Sequence, residues 1–234
     1  IAGIRGGTPQ QAAERQEERG IDVYRGQGSF ISPDEVRVND HVLSGQRFLI
    51  ATGFEPVIPP IDGIEQAGYI TNREAVTLER LPRTLAVIGA GPVGVEFAQM
   101  FSRFGARVTL FEMKDRILFQ DEADLANELG ECLQGEGVQV RCGLQIERVT
   151  KQDSDDKRIV WKDTEGEHSS DVEEILIASG RKPALEALQL ENAGVETKDG
   201  ALVLDETLRS SVPSIWAAGD ITRRFPFTHV ASVQ

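Results

Sequence analysis

Gly89-Ala90-Gly91-Pro92-Val93-Gly94 carries three glycines at the spacing G-x-G-x-x-G, and Glu112 stands 23 positions after the first of them. A glycine at the first position allows a tight turn off a strand. At the second it leaves bare backbone for a diphosphate, and at the third it lets the next helix pack closely on the strand. Backbone N–H groups at a helix start offer positive potential to an anion without any basic side chain. Pro92 has no N–H to give, but in a first turn only an orphan donor is lost. A carboxylate at Glu112 can accept from both hydroxyls of a ribose and repels a 2′-phosphate, so the pattern predicts NAD, with NADP disfavoured. Lys114 and Arg116, just beyond, weaken that exclusion. Glu96, in the first turn of the predicted helix, reads by itself as a charge favoured by the positive helix end.

These residues need a strand, a helix and a second strand to hold them. "TLAVI" before the glycines, "VGVEFAQMFSRFG" after them and "ARVTLFE" supply all three. Upstream, Thr8-Pro9-Gln10-Gln11 predicts a capped helix start, with the helix stopping at Gly20. "IDVYRGQGSF", "EVRVND" and "HVLSGQRFLIATG" read as short strands, the apolar "RFLIATG" as a buried one. "FEPVIPPIDG" reads as a connector and "TNREAVTLERLP" as a short helix. Downstream, "DEADLANELGECLQGEG" predicts a helix and "VQVRC" a strand. "QIERVTKQ", "RIVWKD" and "EHSSDVEEILIAS" then give three strands, with the acidic turn "DSDDK" solvated. "ALEALQLENAG" is helix-like; "LVLDE" and "SIWAAG" are strand-like. "LIATG", "LIASG" and "IWAAGD" each end a strand on a small residue plus glycine, which suits close approach of a ligand.

The 234 residues carry a formal net charge of −13, so nucleic acid is not an expected partner. No apolar run approaches the ~20 residues of a membrane span. "IAGIRGGTPQ" lacks a charged leader followed by an apolar block, and the expected location is cytoplasmic. Because the chain begins at Ile1 and stops as "FTHVASVQ" takes on a helical pattern, a fragment of a longer polypeptide is expected. Cys132 and Cys142, with three histidines in the chain, form no metal-ligand pattern and read as reduced packing thiols, with no metal expected. His41 and His168 read as lone residues in polar turns, and Trp161 and Trp216 as core.

Five segments in order resemble the pyridine nucleotide–disulfide oxidoreductases, in particular the dihydrolipoamide dehydrogenase and mercuric-reductase-like group: "LIATGFEPVIPP", "VIGAGPVGVEFA", "ASGRKP", "TLRSSVPSIWAAGD" and "FTHVA". The resemblance covers essentially the whole chain. It implies an α/β fold, a Rossmann-like parallel sheet crossed by an antiparallel β-meander, plus a partial second domain of the same kind. It also implies an FAD-binding domain interrupted by an NAD-binding one: residues 1–65 as part of the FAD domain, 66–200 as the NAD domain and 201–234 as the return.

Site roles follow from the same resemblance. Asp220 would bond the ribityl chain of FAD. Phe227, Thr228 and His229 would meet the flavin ring through backbone groups. Ala51, Thr52 and Gly53 would line the FAD crevice, Gly28 would approach its adenosine part, and Arg181 would reach toward it. Ile146 would flank the NAD adenine and Gly180 the nicotinamide half. Glu96 becomes the catalytic-site candidate, facing a lysine beside the family's redox disulfide. Ala184 stands where the family carries asparagine. The family's first FAD fingerprint, its C-x-x-x-x-C disulfide and its C-terminal dimer domain are not in these 234 residues, and Cys132 and Cys142 are not that disulfide. The implied activity is passage of hydride from NAD(P)H to FAD and on to a disulfide, thiol or metal-ion acceptor, in a homodimeric parent. A flavoprotein NAD(P)H oxidase or transhydrogenase without the disulfide, or a non-catalytic NAD-binding module, are the alternatives.

Overall fold

The computed structural model describes residues 9–224 and 228–234, so the expected cap at Thr8 and the candidate Phe227 lie outside the described residues. The chain divides into two compact units. One joins the residues up to Glu55 with Arg181–Gln234, and the other is Pro56–Gly180.

The first unit opens with helix α1 (Pro9–Glu17), which buries Ala13 and gives way to turns ending at Gly20. Strands β1 (Gly28–Ser32), β2 (Glu35–Val38) and β3 (His41–Ser44) form an antiparallel meander. Asn39, at φ 53°, makes the second turn, and its side chain donates to the carbonyl of Arg25 at 2.9 Å. A short amide side chain tolerates this left-handed conformation. His41 therefore begins a strand rather than standing in a turn. Strand β4 (Phe48–Ile50) buries Ile50 but leaves Leu49 64% exposed. The strand expected to be buried is half-buried, because alternate residues of a strand face opposite ways. Strand β5 (Phe54–Pro56) lies inside the expected connector.

In the second unit, α2 (Ile64–Ala67) and α3 (Asn72–Ala75) precede the sheet. Thr71 and Glu74 close a capping box on α3, each satisfying a backbone N–H of the other's turn. Then follow β6 (Thr84–Ile88), α4 (Pro92–Arg103), β7 (Arg107–Phe111), α5 (Ala123–Gly135) and β8 (Gln139–Arg141). Strands β9 (Gln145–Lys151), β10 (Lys157–Asp163) and β11 (Gly166–Val172) form the antiparallel meander, and β12 (Glu174–Ile177) returns to the parallel sheet, whose order is β12-β6-β7-β8.

Leu85 and Val87 join one apolar cluster with Val108, Leu110, Phe101 and Leu133. Ala86 and Ile88 join another with Phe111, Trp161 and Ile175. Period-two alternation thus gives one sheet face to helices and the other to the meander, the α/β arrangement expected.

Four local expectations differ from the structure. "EHSSDVEEILIAS" is two strands, β11 and β12, split at Glu173, because the half-buried alternation of β11 gives way to the wholly buried Ile175–Ile177. The acidic turn is solvated except at its last residue. Lys157 is 8% exposed and pairs with Glu174, whose Oε1 also accepts the N–H of Ile175 at 2.9 Å. His168 lies within β11, 3.0 Å from Asp163 and stacked on the buried Trp161. Of the two thiols, Cys142 is half-buried against the helix-side core, and burial, then the charges of Glu112 and Asp115, push it above the usual thiol range. Cys132 is exposed, a correction to the expected packing role.

Glu173 accepts from the N–H of Arg83 at 2.7 Å and from Arg80. The Arg83 amide first, then the two arginines, hold its carboxyl below the ordinary 4.5. Thr71 does the same for Glu74. A depressed folded-state pKa contributes stability that is present above the unfolded value and lost as pH falls through the folded one. Urea denaturation midpoints should therefore drop on acidification below about pH 4.5, and Glu173→Gln should flatten that drop. An unchanged slope in the variant refutes the assignment.

The chain re-enters the first unit through β13 (Arg181–Pro183), which pairs with β5. A single 3-10 turn (Glu186–Leu188) and α6 (Leu190–Ala193) follow, broken at Gln189 with φ 49° where one continuous helix was expected. Strands β14 (Thr197–Lys198) and β15 (Ala201–Leu202) make a hairpin. Strand β16 (Ile215–Ala217) lies parallel to β4 and leads to a second 3-10 turn (Gly219–Thr222), and α7 (Thr228–Ala231) ends the chain's regular structure. Phe30, Ile50, Leu190, Val195, Ile215 and Ile221 share this unit's core. Residues 181–200 pack there, and Asn192 donates to the carbonyl of Phe30 at 2.9 Å. The contact boundaries accordingly fall at 55/56 and 180/181, against expected boundaries at 65/66 and 200/201. No helix among the described residues is long and apolar enough to cross a membrane.

Candidate functional site

Strand β6 ends at Ile88, and Gly89 turns the chain at φ 102°. Its N–H donates to the carbonyl of Phe111 at 2.8 Å, and a Cβ there would lie 2.6 Å from the carbonyl oxygen of Ala178. At Gly94 a Cβ would stand 1.9 Å from the carbonyl oxygen of Gly89. Turn and helix are thus in backbone contact, and neither position accommodates a side chain. Gly91 differs. Its backbone is extended, and a Cβ would meet no atom of the described residues within 4 Å. The protein's own packing makes no demand for glycine there. The open side of that turn is where an anion could approach. No side chain among the described residues caps α4, so its first amides, from Val93 onward past the exposed Pro92, keep their capacity for an acceptor.

Glu112 follows β7 directly. Its Oε2 accepts from the N–H of Ala90 at 2.7 Å and its Oε1 from the N–H of Lys114 at 2.9 Å. Each carboxylate oxygen keeps a further lone pair, so the group can still accept from hydroxyls while fixed by two amides. Beside it, Met113, Leu144, Gln145 and Lys162 line a shallow cavity of about 350 Å³. Ile146 packs into the meander-side core, while its neighbour Gln145 faces the cavity. Gly180 follows β12 at the same sheet edge, where the N–H of Ala178 donates to the carbonyl of Ile88. Glu96 is exposed and is the fifth residue of α4, in its second turn rather than the first as expected. The macrodipole falls off within one turn, so the helix-end account of Glu96 loses its basis.

In the first unit, Ala51 and Thr52 are exposed beyond β4. Thr52 donates to the carbonyl of Ala184 at 3.0 Å, and the N–H of Ala184 donates to the carbonyl of Gly53 at 3.0 Å. Ala184 serves here through its backbone. Arg181 lies 3.7 Å from Asp220 and over the ring of Phe54. Gly28 sits within β1 opposite Val38, and a Cβ there would be in ordinary contact with Val36. His229 is exposed on α7, which Thr228 begins. The fold gathers Gly89, Gly91, Pro92, Val93, Gly94, Glu112 and Gly180 at one end of the parallel sheet. It joins Arg181 to Asp220, and Thr52 and Gly53 to Ala184.

Sequence reasoning missed the segment after Glu112. The guanidinium of Arg116 donates to the carbonyls of Leu118 at 2.8 Å, Phe119 at 2.9 Å and Asp121 at 3.0 Å. The N–H of Leu118 donates to the carbonyl of Ala90 at 2.9 Å. Backbone acceptors leave no trace in residue type, so no pattern announced this arrangement.

Comparison with known proteins gives the family. A family model described as pyridine nucleotide-disulphide oxidoreductase matches residues 8–234. The mercuric reductase of Staphylococcus aureus is 35% identical over 219 residues, 93% of this chain and 40% of that protein. The dihydrolipoyl dehydrogenase of Bacillus subtilis (strain 168) is 31% identical over 90% of this chain and 46% of its own length. Among solved structures, the HOCl-induced flavoprotein disulfide reductase RclA from Escherichia coli superposes with a TM-score of 0.85 at 32% identity, covering 95% of this chain and 51% of that one. The chain spans about half the length of these relatives.

Proposed function

This chain belongs to the pyridine nucleotide-disulphide oxidoreductase family, and from that premise we propose that it is the NAD-binding centre, with flanking FAD-binding segments, of an enzyme carrying hydride from NAD(P)H through FAD to a disulfide or related acceptor. Members of the family use FAD and NAD(P)H, and the redox chemistry belongs to those two cofactors when they are bound. What the residues contribute is placement. The observation that carries the reading is the paired turn and acid: Gly91 open on its outer side, with the Ala90 amide tied to Glu112.

The donor set fits a dinucleotide. Gly91, Val93 and Gly94 would present amides to the diphosphate, and Glu112 would take the adenosine ribose. The cavity beside Met113 would take the adenine edge, with Ile146 in the core behind it. Gly180 and Glu96 would lie toward the nicotinamide half. In the other unit, Asp220 would hold the ribityl chain and Arg181 would steady Asp220. Ala51, Thr52, Gly53 and Gly28 would line the FAD crevice, and Phe227, Thr228 and His229 would meet the flavin ring. The acceptor is a disulfide, thiol or metal ion, and the parent is a homodimer. The proposed setting is cytoplasmic.

The test is calorimetric titration of the chain with NADH and NADPH. Glu112→Ala should weaken NADH by roughly 1–3 kcal/mol, the cost of charge-assisted hydrogen bonds, and NADPH by less, since only the lost tie to the Ala90 amide is common to both. Glu112→Gln keeps an oxygen for the Ala90 amide and should lose less. Equal losses for both nucleotides count against Glu112 as the ribose ligand, and no heat from folded wild type at millimolar NADH defeats the proposal.

A further inference from the structure

We propose that Arg116 is a positioning residue for the glycine-rich turn, bracing it through Leu118, and is not a ligand of an adenosine 2′-phosphate. The inference rests on the dinucleotide reading above and deepens it.

Two basic side chains follow Glu112, and by charge alone either could receive the extra phosphate of NADPH. The geometry separates them. The guanidinium of Arg116 is spent on its own loop. One nitrogen donates to the carbonyls of Ile117 and Leu118 at 3.5 and 2.8 Å, the other to those of Phe119 and Asp121 at 2.9 and 3.0 Å. Its central carbon lies over the Phe119 ring, 5.4 Å from the centroid. A planar fork with five donors can gather several carbonyls at once, whereas an ammonium acts as a point charge.

The carbonyls it gathers belong to a strained segment. Leu118 has φ 45°, a left-handed conformation that a branched aliphatic residue seldom adopts unless its surroundings impose it. The Leu118 carbonyl also accepts from the N–H of Asp121 at 2.8 Å. Held in this way, the N–H of Leu118 points back at the carbonyl of Ala90, 2.9 Å away, while the N–H of Ala90 is taken by Glu112 at 2.7 Å. Ala90 is the residue between the first two glycines. It is therefore clamped on both sides, by a carboxylate and by an amide that Arg116 keeps in place. A glycine-rich turn is intrinsically loose. This bracket fixes the direction of its amides before any diphosphate arrives, and pre-organisation of that kind raises affinity. Since the brace holds the turn common to both nucleotides, it should affect NADH and NADPH alike.

The experiment measures NADH and NADPH dissociation constants, and backbone amide exchange at Ala90 and Leu118, in the full chain and three variants. Arg116→Ala should weaken both nucleotides about tenfold with their ratio unchanged and speed exchange at both amides. Arg116→Lys should fall between. Leu118→Gly in the Arg116→Ala background should restore part of the affinity and protection, because glycine reaches the left-handed conformation without strain, though it adds chain freedom and loses the packing of Leu118. A selective loss of NADPH would make Arg116 the phosphate ligand and overturn the proposal. So would unchanged exchange in folded Arg116→Ala, or failure of the glycine rescue. Should Arg116→Ala not fold, exchange and affinity in Arg116→Lys with and without Leu118→Gly decide in the same sense. If wild type binds neither nucleotide, the dinucleotide reading falls, and amide exchange still decides the bracket.

Discussion

Gly94→Ala is expected to destabilise the central unit by about 3 kcal/mol or more and to weaken NADH binding at least a hundredfold, because the added carbon meets backbone rather than a side chain that can swing away. It would stand 1.9 Å from the carbonyl oxygen of Gly89. Relief requires α4 to retreat from β6 by more than an ångström. That helix buries Val95, Ala98 and Phe101 against the sheet, so the retreat opens the core as it moves the amides away from the diphosphate site. Gly91→Ala is the matched control. The new methyl meets no atom of the described residues within 4 Å, and the extended backbone accepts alanine. Its unfolding midpoint should stay near wild type, while NADH affinity falls because the methyl occupies the ligand's side of the turn. Urea denaturation and calorimetry on both variants check the pair. Equal stability loss in the two, or full affinity in Gly91→Ala, contradicts the assignment.

Glu174→Ala is expected to cost about 3–5 kcal/mol, among the largest effects available outside the glycine turn. Lys157 at the start of β10 is nearly buried and donates to Glu174 at the start of β12. Removing the acid leaves an ammonium without its partner on a side chain that is only 10% exposed. The double replacement Lys157→Met with Glu174→Leu removes both charges and should recover most of the loss, since hydrophobic substitutes for a buried pair are often neutral or better. The Arg158–Asp171 pair on the exposed side of the same meander should contribute little by comparison. A double-mutant cycle in urea measures the coupling. A small loss in Glu174→Ala would show that the lysine finds solvent.

What could be read from the sequence was local. The turn from Gly89 to Gly94 is legible because Gly89 and Gly94 each answer a backbone contact within a few residues or on a nearby strand end, while Gly91 leaves its outer side open, and such spacing recurs. The two-layer packing of the sheet was legible in the alternation of Leu85, Ala86, Val87 and Ile88. Leu49 was not, because its exposure depends on what lies across a strand and not on its own apolar neighbours. Lys157 was hidden for the same reason: it closes an acidic turn, and its partner lies seventeen residues away on another strand. Arg116 read as a cation for phosphate because charge is visible in a sequence and backbone carbonyls are not. Glu96 was placed one turn too early, an error that depends on where the helix begins.

The hydrogen bond from the N–H of Val57 to the carbonyl of Gly180, at 3.0 Å, has a bearing on how such a chain is inherited. Entry and exit of the central unit abut, so the unit is a cassette with adjoining ends. Spliced out, it leaves a gap that a few residues close; circularised, it can be reopened at an exposed loop elsewhere. A gene can therefore gain, lose or exchange it by two cuts without stretching the polypeptide that remains.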